Sequence, residues 1–222
     1  MKIFLVIPLF NEEKHIVKVL KGVLPYKLPV IVVDDGSLDS SSLKAQNLKL
    51  KNTTILQHTI NLGKGAAMKT GADYAFAHGA DAVIFMDSDA QHNPEDLPKF
   101  IRSLDEKKCG VVFGSRNLHF GVPLVRYLGN KFASALVALF FGIYVSDTLC
   151  GYRAVTKNAY GKLKWESTGY GVETEMVIRT GKAKLKFCEV PVETIYHSGV
   201  KGVTPLDAFG ILAQVVKWKL TL

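Results

Sequence analysis

Short apolar runs alternate with longer segments of helical periodicity through the first half of the chain. Ile3 to Ile7, Val30 to Val33, Thr54 to Gln57, Ala82 to Met86 and Gly110 to Phe113 are the runs, and each reads as a strand buried on both faces. Between them, Glu12 to Leu24, Ser40 to Leu48, Gly65 to Ala77 and Pro94 to Leu104 carry the spacing of helices. Alternation of this kind predicts an α/β fold: a Rossmann-like, doubly wound, mostly parallel sheet flanked by helices, with right-handed crossovers. Such sheets bind ligands beyond the carboxyl ends of their strands.

After about residue 115 the pattern changes. Lys131 to Val145 reads as a helix, and Phe132 to Val145 carries no charge. That stretch is too short to span a bilayer, and it fits either a buried helix or one lying at an interface. Pro205 to Leu222 reads as an amphipathic C-terminal helix, with Thr204 as N-cap and Pro205 at the first helical position. Trp218 between Lys217 and Lys219 suits a lipid headgroup boundary, although the same helix can pack on the core. Neither linker nor repeat interrupts residues 1–222, which read as a single domain with halves 1–115 and 116–222.

A net charge of +8 calls for a polyanionic partner: a phosphate-bearing substrate, an anionic membrane surface or nucleic acid. No Lys/Arg run is interleaved with aromatics, so nucleic acid is set aside. Cys109, Cys150 and Cys188 are odd in number and far apart, which predicts reduced thiols in a cytoplasmic protein rather than a disulfide framework or a zinc site.

The chemistry gathers at the predicted strand ends. Asp87-Ser88-Asp89 follows the fourth strand, where two carboxylates are placed to share a divalent cation such as Mg²⁺, with Gln91 as a further oxygen ligand. Asp34 and Asp35 end the second strand, where acids commonly accept hydrogen bonds from a ribose or base. In Asn61-Leu62-Gly63-Lys64-Gly65 the glycines would admit a phosphate to backbone N–H groups, with Lys64 adding charge. The spacing matches neither a P-loop nor a dinucleotide fingerprint, which excludes the kinase and dehydrogenase readings.

Together with Ile7-Pro8-Leu9-Phe10-Asn11-Glu12-Glu13 and Met86-Asp87-Ser88-Asp89-Ala90-Gln91-His92, these segments resemble the family-2 glycosyltransferases. Phe113-Gly114-Ser115-Arg116, Val125 to Asn130, Asp147 to Arg153 and Glu189 to Tyr196 are similar to the dolichyl- and polyprenyl-phosphate sugar synthases within it. The resemblance implies the GT-A fold, with 1–115 as the nucleotide-sugar half and 116–222 as the acceptor half. It implies an inverting transfer of a hexose from a UDP-glucose or GDP-mannose type donor to a dolichyl or polyprenyl phosphate. It also implies Mg²⁺ or Mn²⁺ on Asp87, Asp89 and Gln91, and Ser88 against the diphosphate. Pro8, Glu12, Val33 and Asp35 would hold the nucleotide, while Arg116, Arg126 and Asn130 would grip the lipid phosphate. Lys201 would serve the diphosphate beside His197, which stands where such synthases often carry an arginine.

An anionic phosphate acceptor needs alignment and charge stabilisation more than a base. A hydroxyl acceptor on a glycan, the alternative, would need a carboxylate base, for which Asp147, Glu173 and Glu175 are the candidates. A lipid-borne acceptor further implies peripheral association with the inner face of the membrane.

Overall fold

The computed structural model describes residues 1–116 and 124–195, of residues 124–128 the backbone alone, together with Val215, Trp218 and Lys219. Seven strands form one sheet: β1 (Ile3–Leu9), β2 (Val30–Asp34), β3 (Thr53–Gln57), β4 (Ala82–Phe85), β5 (Val111–Arg116), β6 (Arg153–Thr156) and β7 (Phe187–Val192). Their order is β3-β2-β1-β4-β6-β5-β7, and only β6 runs antiparallel to its neighbours. Because β6 lies between β4 and β5 and opposes both, β4 and β5 end at the same edge. That is also the edge where β1 and β2 end, so the polar strand ends converge there.

The helices are α1 (Ile16–Val23), α2 (Ser41–Asn47), α3 (Lys64–Ala77), α4 (Leu97–Asp105), α5 (Leu124–Phe141), α6 (Lys157–Leu163) and α7 (Val172–Lys182). Both faces of the sheet are covered, which is why its first strands read as unbroken apolar runs. Along β1, Phe4 and Val6 join α3 and α7 in one cluster, while Ile3, Leu5 and Ile7 join α1 and α4 in the other. Alternate side chains point to opposite faces, as the pleat requires. Gly71 lets α3 sit close to the sheet, since a Cβ there would stand 2.3 Å from Val6 Cγ1.

The structure departs from the sequence expectation at several places. α1 starts at Ile16 rather than Glu12, and the Glu12 and Glu13 N–H groups donate to Ser41 Oγ and Asp39 Oδ2, which ties the turn before α1 to the start of α2. α5 begins at Leu124 and stops at Phe141, where Gly142 turns left-handed (φ 68°). Cys109 and Cys188 are bonded, not free: Cys109 lies two residues before β5, Cys188 is the second residue of its parallel neighbour β7, and the two Cα atoms stand 6.0 Å apart. Among the described residues only Cys150 is a free thiol, and it is buried.

At Trp218 the core-packing alternative holds. The residue is 8% exposed and packs with Val215 in the α3–α7 cluster, while Lys219 Nζ donates to the Phe140 carbonyl at 2.8 Å. The rest of the expected helix over 205–222 lies outside the described residues.

Candidate active site

A cavity of about 320 Å³ opens at the carboxyl edge, lined by Pro8, Glu12, Asp35, Lys64, Asp87, Ser88 and Asp89. Asp87 and Asp89 leave the end of β4 through a tight turn in which Ala90 is left-handed (φ 60°). That turn brings the Gln91 N–H to Asp89 Oδ1 at 2.9 Å. Asp87 donates its own N–H to His92 Nδ1 at 3.1 Å, so a neutral His92 carries its proton on Nε2, 3.8 Å from Asp87 Oδ2. The ring is clamped by stacking on Tyr152, which stacks in turn on Phe100.

The two carboxylates differ in their titration. Burial alone would raise Asp87, but the Lys64 ammonium, through its charge and its hydrogen bond, outweighs it and holds the acid below its usual range. Asp89 is pushed up, first by burial and then by the charge of Asp87. Among the described residues no three His, Cys, Asp or Glu side chains form a metal-ligand cluster. A pair of hard carboxylate oxygens facing an open cavity nonetheless fits Mg²⁺ or Mn²⁺, which complete their shells from water and phosphate. Gln91 is held beside this pair by its backbone, its carbonyl accepting from the Ile195 N–H at 2.9 Å.

Other expected site residues are placed differently. Asp35 is buried and spends its oxygens on the loop: it accepts from Leu62 N–H at 2.9 Å and Gly63 N–H at 2.7 Å, and meets His58 Nδ1 at 2.7 Å. It therefore shapes the wall of the cavity. Val33 is fully buried in β2 beneath α3, so only its backbone borders the edge. The glycines around Lys64 do not leave free amides for a phosphate. Gly65 and Ala66 both donate to the Thr168 carbonyl, at 2.5 Å and 3.2 Å. A Cβ at Gly65 would lie 2.1 Å from the Ser167 carbonyl oxygen. These glycines admit the 165–169 loop.

Lys64 itself bridges two acids, at 2.7 Å to Asp87 Oδ1 and 2.8 Å to Glu173 Oε1. On the acceptor side, Arg116 at the end of β5 forms a forked pair with buried Asp147, and Ser115 Oγ meets Ser146 Oγ at 2.6 Å. Glu189 of β7 takes the Ser146 N–H at 2.8 Å and its hydroxyl as well. Asn130 is buried on α5 and reaches the Ser146 carbonyl through Nδ2 at 3.4 Å. Glu175 accepts from the Glu166 and Ser167 N–H groups and from Arg179. The side chain of Arg126, and all of His197 and Lys201, lie outside the described residues.

Sequence reasoning missed three supports of the site. His58 and His92 have no local signal beyond their neighbouring motifs. Arg153 is fully buried and gives its donors to the carbonyls of Cys150, Thr148 and Glu173, tying the 147–151 loop to the start of α7.

Residues 4–166 match the family described as glycosyl transferase family 2. The UDP-N-acetylglucosamine–dolichyl-phosphate N-acetylglucosaminyltransferase of Methanococcus voltae is 32% identical over 98% of this chain and 96% of its own. The undecaprenyl-phosphate mannosyltransferase of Micrococcus luteus is 29% identical over 86% of this chain and 83% of its own. Among solved structures, glucosyl-3-phosphoglycerate synthase from Mycobacterium tuberculosis, in complex with Mg²⁺ and uridine diphosphate, superposes with a TM-score of 0.75. It is 22% identical and covers 99% of this chain and 78% of its own, a likeness of fold, the GT-A fold.

Proposed function

The chain belongs to glycosyl transferase family 2, and from that premise we propose that it transfers a hexose from a nucleotide-diphospho-sugar to a dolichyl or polyprenyl phosphate, with inversion and with a divalent metal. The observation that carries this reading is the common edge: Asp87 and Asp89 follow the end of β4 and Arg116 ends β5, and the two strands lie two positions, roughly 10 Å, apart in the sheet. A diphosphate site and a monophosphate site fit side by side at that separation.

Asp87 and Asp89, with Gln91, would hold Mg²⁺ or Mn²⁺. Bound there, the ion supplies Lewis-acid stabilisation of the leaving diphosphate. Pro8 and Glu12 bound the pocket on the side where the nucleoside would lie. Arg116, oriented by Asp147, would align the acceptor phosphate. An oxygen of that phosphate attacks the anomeric carbon as the bond to the diphosphate breaks, and the configuration inverts. No proton has to be removed from a phosphate oxygen that is already anionic.

The three candidate bases support the phosphate acceptor over a glycan hydroxyl. Asp147 is bound to Arg116, Glu173 to Lys64, and Glu175 to Arg179 and two amides. The two relatives differ in the sugar of their names and share a polyprenol-type phosphate. A lipid acceptor brings the protein to a membrane surface, and α5 offers Phe132 and Leu139 there, 56% and 75% exposed. Among the described residues no helix is long and apolar enough to cross a membrane.

Incubation with a panel of UDP- and GDP-sugars, Mg²⁺ or Mn²⁺, and a polyprenyl phosphate tests the reading. Sugar should enter the lipid fraction with at least one donor. Transfer confined to glycan acceptors would contradict it.

A further inference from the structure

Lys64 is where the site holds a positive charge of its own. It opens α3, and its ammonium lies between Asp87 Oδ1 and Glu173 Oε1 at 2.7 Å and 2.8 Å. A lysine held by two carboxylates is an ammonium at neutral pH, so the cleft carries this positive charge before any ligand arrives. Both ends of the bridge are fixed from behind. The first turn of α3 is held by Trp165 Nε1 on the Gly65 carbonyl at 3.1 Å and by the Thr168 carbonyl on two amides. Glu173 is held by its backbone carbonyl, which accepts from Arg153 Nη1, and its Oε2 is buried without a hydrogen-bond partner. Gly151 closes the remaining side, since a Cβ there would stand 2.5 Å from Asp87 Oδ2 and 2.8 Å from Lys64 Nζ.

We propose that Lys64 is a resident counter-ion seated between Asp87 and Glu173, that it opposes divalent cation binding to Asp87 until a diphosphate is present, and that Glu173 is the residue that positions it. This rests on the metal-dependent reading above. An ammonium within hydrogen-bond distance of Asp87 occupies one carboxylate oxygen and repels a second cation at the other. A diphosphate brings negative charge to the same cleft and relieves that repulsion, so metal and nucleotide reinforce each other's binding. Such coupling is reciprocal by linkage. Glu173 gives the ammonium a second seat, which keeps it in the cleft when Asp87 turns to a metal.

The charges permit a clean test. Asp87, Asp89, Glu173 and Lys64 together are three formal negatives and one positive when ionised. The double variant K64M/E173Q removes one of each, so the net charge is unchanged while Asp87 loses its ammonium partner and is left open to an added cation. Mn²⁺ binding followed by electron paramagnetic resonance, with no nucleotide, should be about tenfold tighter in the double variant than in the natural protein. UDP or GDP should then tighten Mn²⁺ binding more in the natural protein than in the variant. A purely structural Lys64–Glu173 pair predicts equal or weaker Mn²⁺ binding after its removal. That result, with melting temperature and near-ultraviolet circular dichroism retained, overturns the proposal. K64M alone is the second probe, because it removes the ammonium and leaves every carboxylate in place, and tightening of Mn²⁺ binding is expected there too. Unchanged Mn²⁺ binding in both variants likewise overturns the proposal while leaving the metal reading intact. Failure of the natural protein to bind Mn²⁺ with either nucleotide present removes the metal reading and the proposal with it.

Discussion

Arg116 and Asp147 meet through two hydrogen bonds, from Nε to Oδ2 at 2.6 Å and from Nη2 to Oδ1 at 2.9 Å, and Asp147 also takes the Arg116 backbone N–H at 3.2 Å. Asp147 is 1% exposed, so the aspartate fixes the plane of the guanidinium rather than serving a surface ion pair. The arginine side chain stays partly open to the edge where β5 ends. Replacing it with lysine keeps the charge and loses the fork. R116K should raise the acceptor KM by about tenfold and leave the donor KM within about twofold. Initial rates measured against each substrate in turn check this, and equal changes in both constants would count against the assignment.

Two glycines separate fold from site. In G65A the new Cβ meets the Ser167 carbonyl, a backbone atom that cannot move aside, so about 1–3 kcal/mol of stability should be lost. In G151A the Cβ meets the side-chain ends of Asp87 and Lys64, which can shift. Denaturant unfolding should show the larger loss for G65A, and turnover measured on folded protein should show the larger loss for G151A.

Glu175 links pH to stability. Burial would raise its pKa, but hydrogen bonds from Ser167, the Glu166 amide and Arg179 outweigh burial and hold it low. A carboxyl depressed on folding stabilises above its unfolded pKa and loses that stabilisation as pH falls through the folded value. E175Q should therefore cost on the order of 2 kcal/mol at pH 7 and lose less on acidification than the natural protein. Melting temperatures from pH 7 to pH 3 would show the two curves converging at the acid end. Parallel curves would be the contrary result.

Trp218 and α5 divide the membrane question. Because Trp218 is buried, W218A should lower stability by about 3–5 kcal/mol and leave vesicle binding unchanged in folded protein. Serine at both Phe132 and Leu139, which are exposed, should reduce co-sedimentation with anionic vesicles at low salt. If W218A alone abolishes vesicle binding with its fold intact, the docking surface lies at the C-terminus instead.

The positions of the first five strands along the chain were legible because a sheet covered on both faces writes unbroken apolar runs, as in Val30 to Val33. β6 was not, because it opens on Arg153, a charge whose partners are carbonyls distant in space rather than in sequence. The Cys109–Cys188 pairing was hidden for a similar reason: 79 residues separate two cysteines that meet only because β7 lies beside β5 in the sheet. At the site, Asp87 and Asp89 were readable from their place after a strand. The use of Gly63 and Gly65 was misread, since glycine before a helix serves close approach of a phosphate and of another loop equally well. Glu173, found as a candidate base, turned out to be the partner of Lys64, which no local spacing encodes.

The most direct measurement compares two acceptors that differ by one phosphate. The natural protein is given a radiolabelled nucleotide sugar, Mg²⁺ or Mn²⁺, and either a polyprenyl monophosphate or the same polyprenol without its phosphate, with D89A alongside. The account predicts label in the lipid fraction for the monophosphate alone, lost in EDTA and lost in D89A although that variant remains folded. Equal labelling of the free alcohol, or full transfer by D89A, would contradict it.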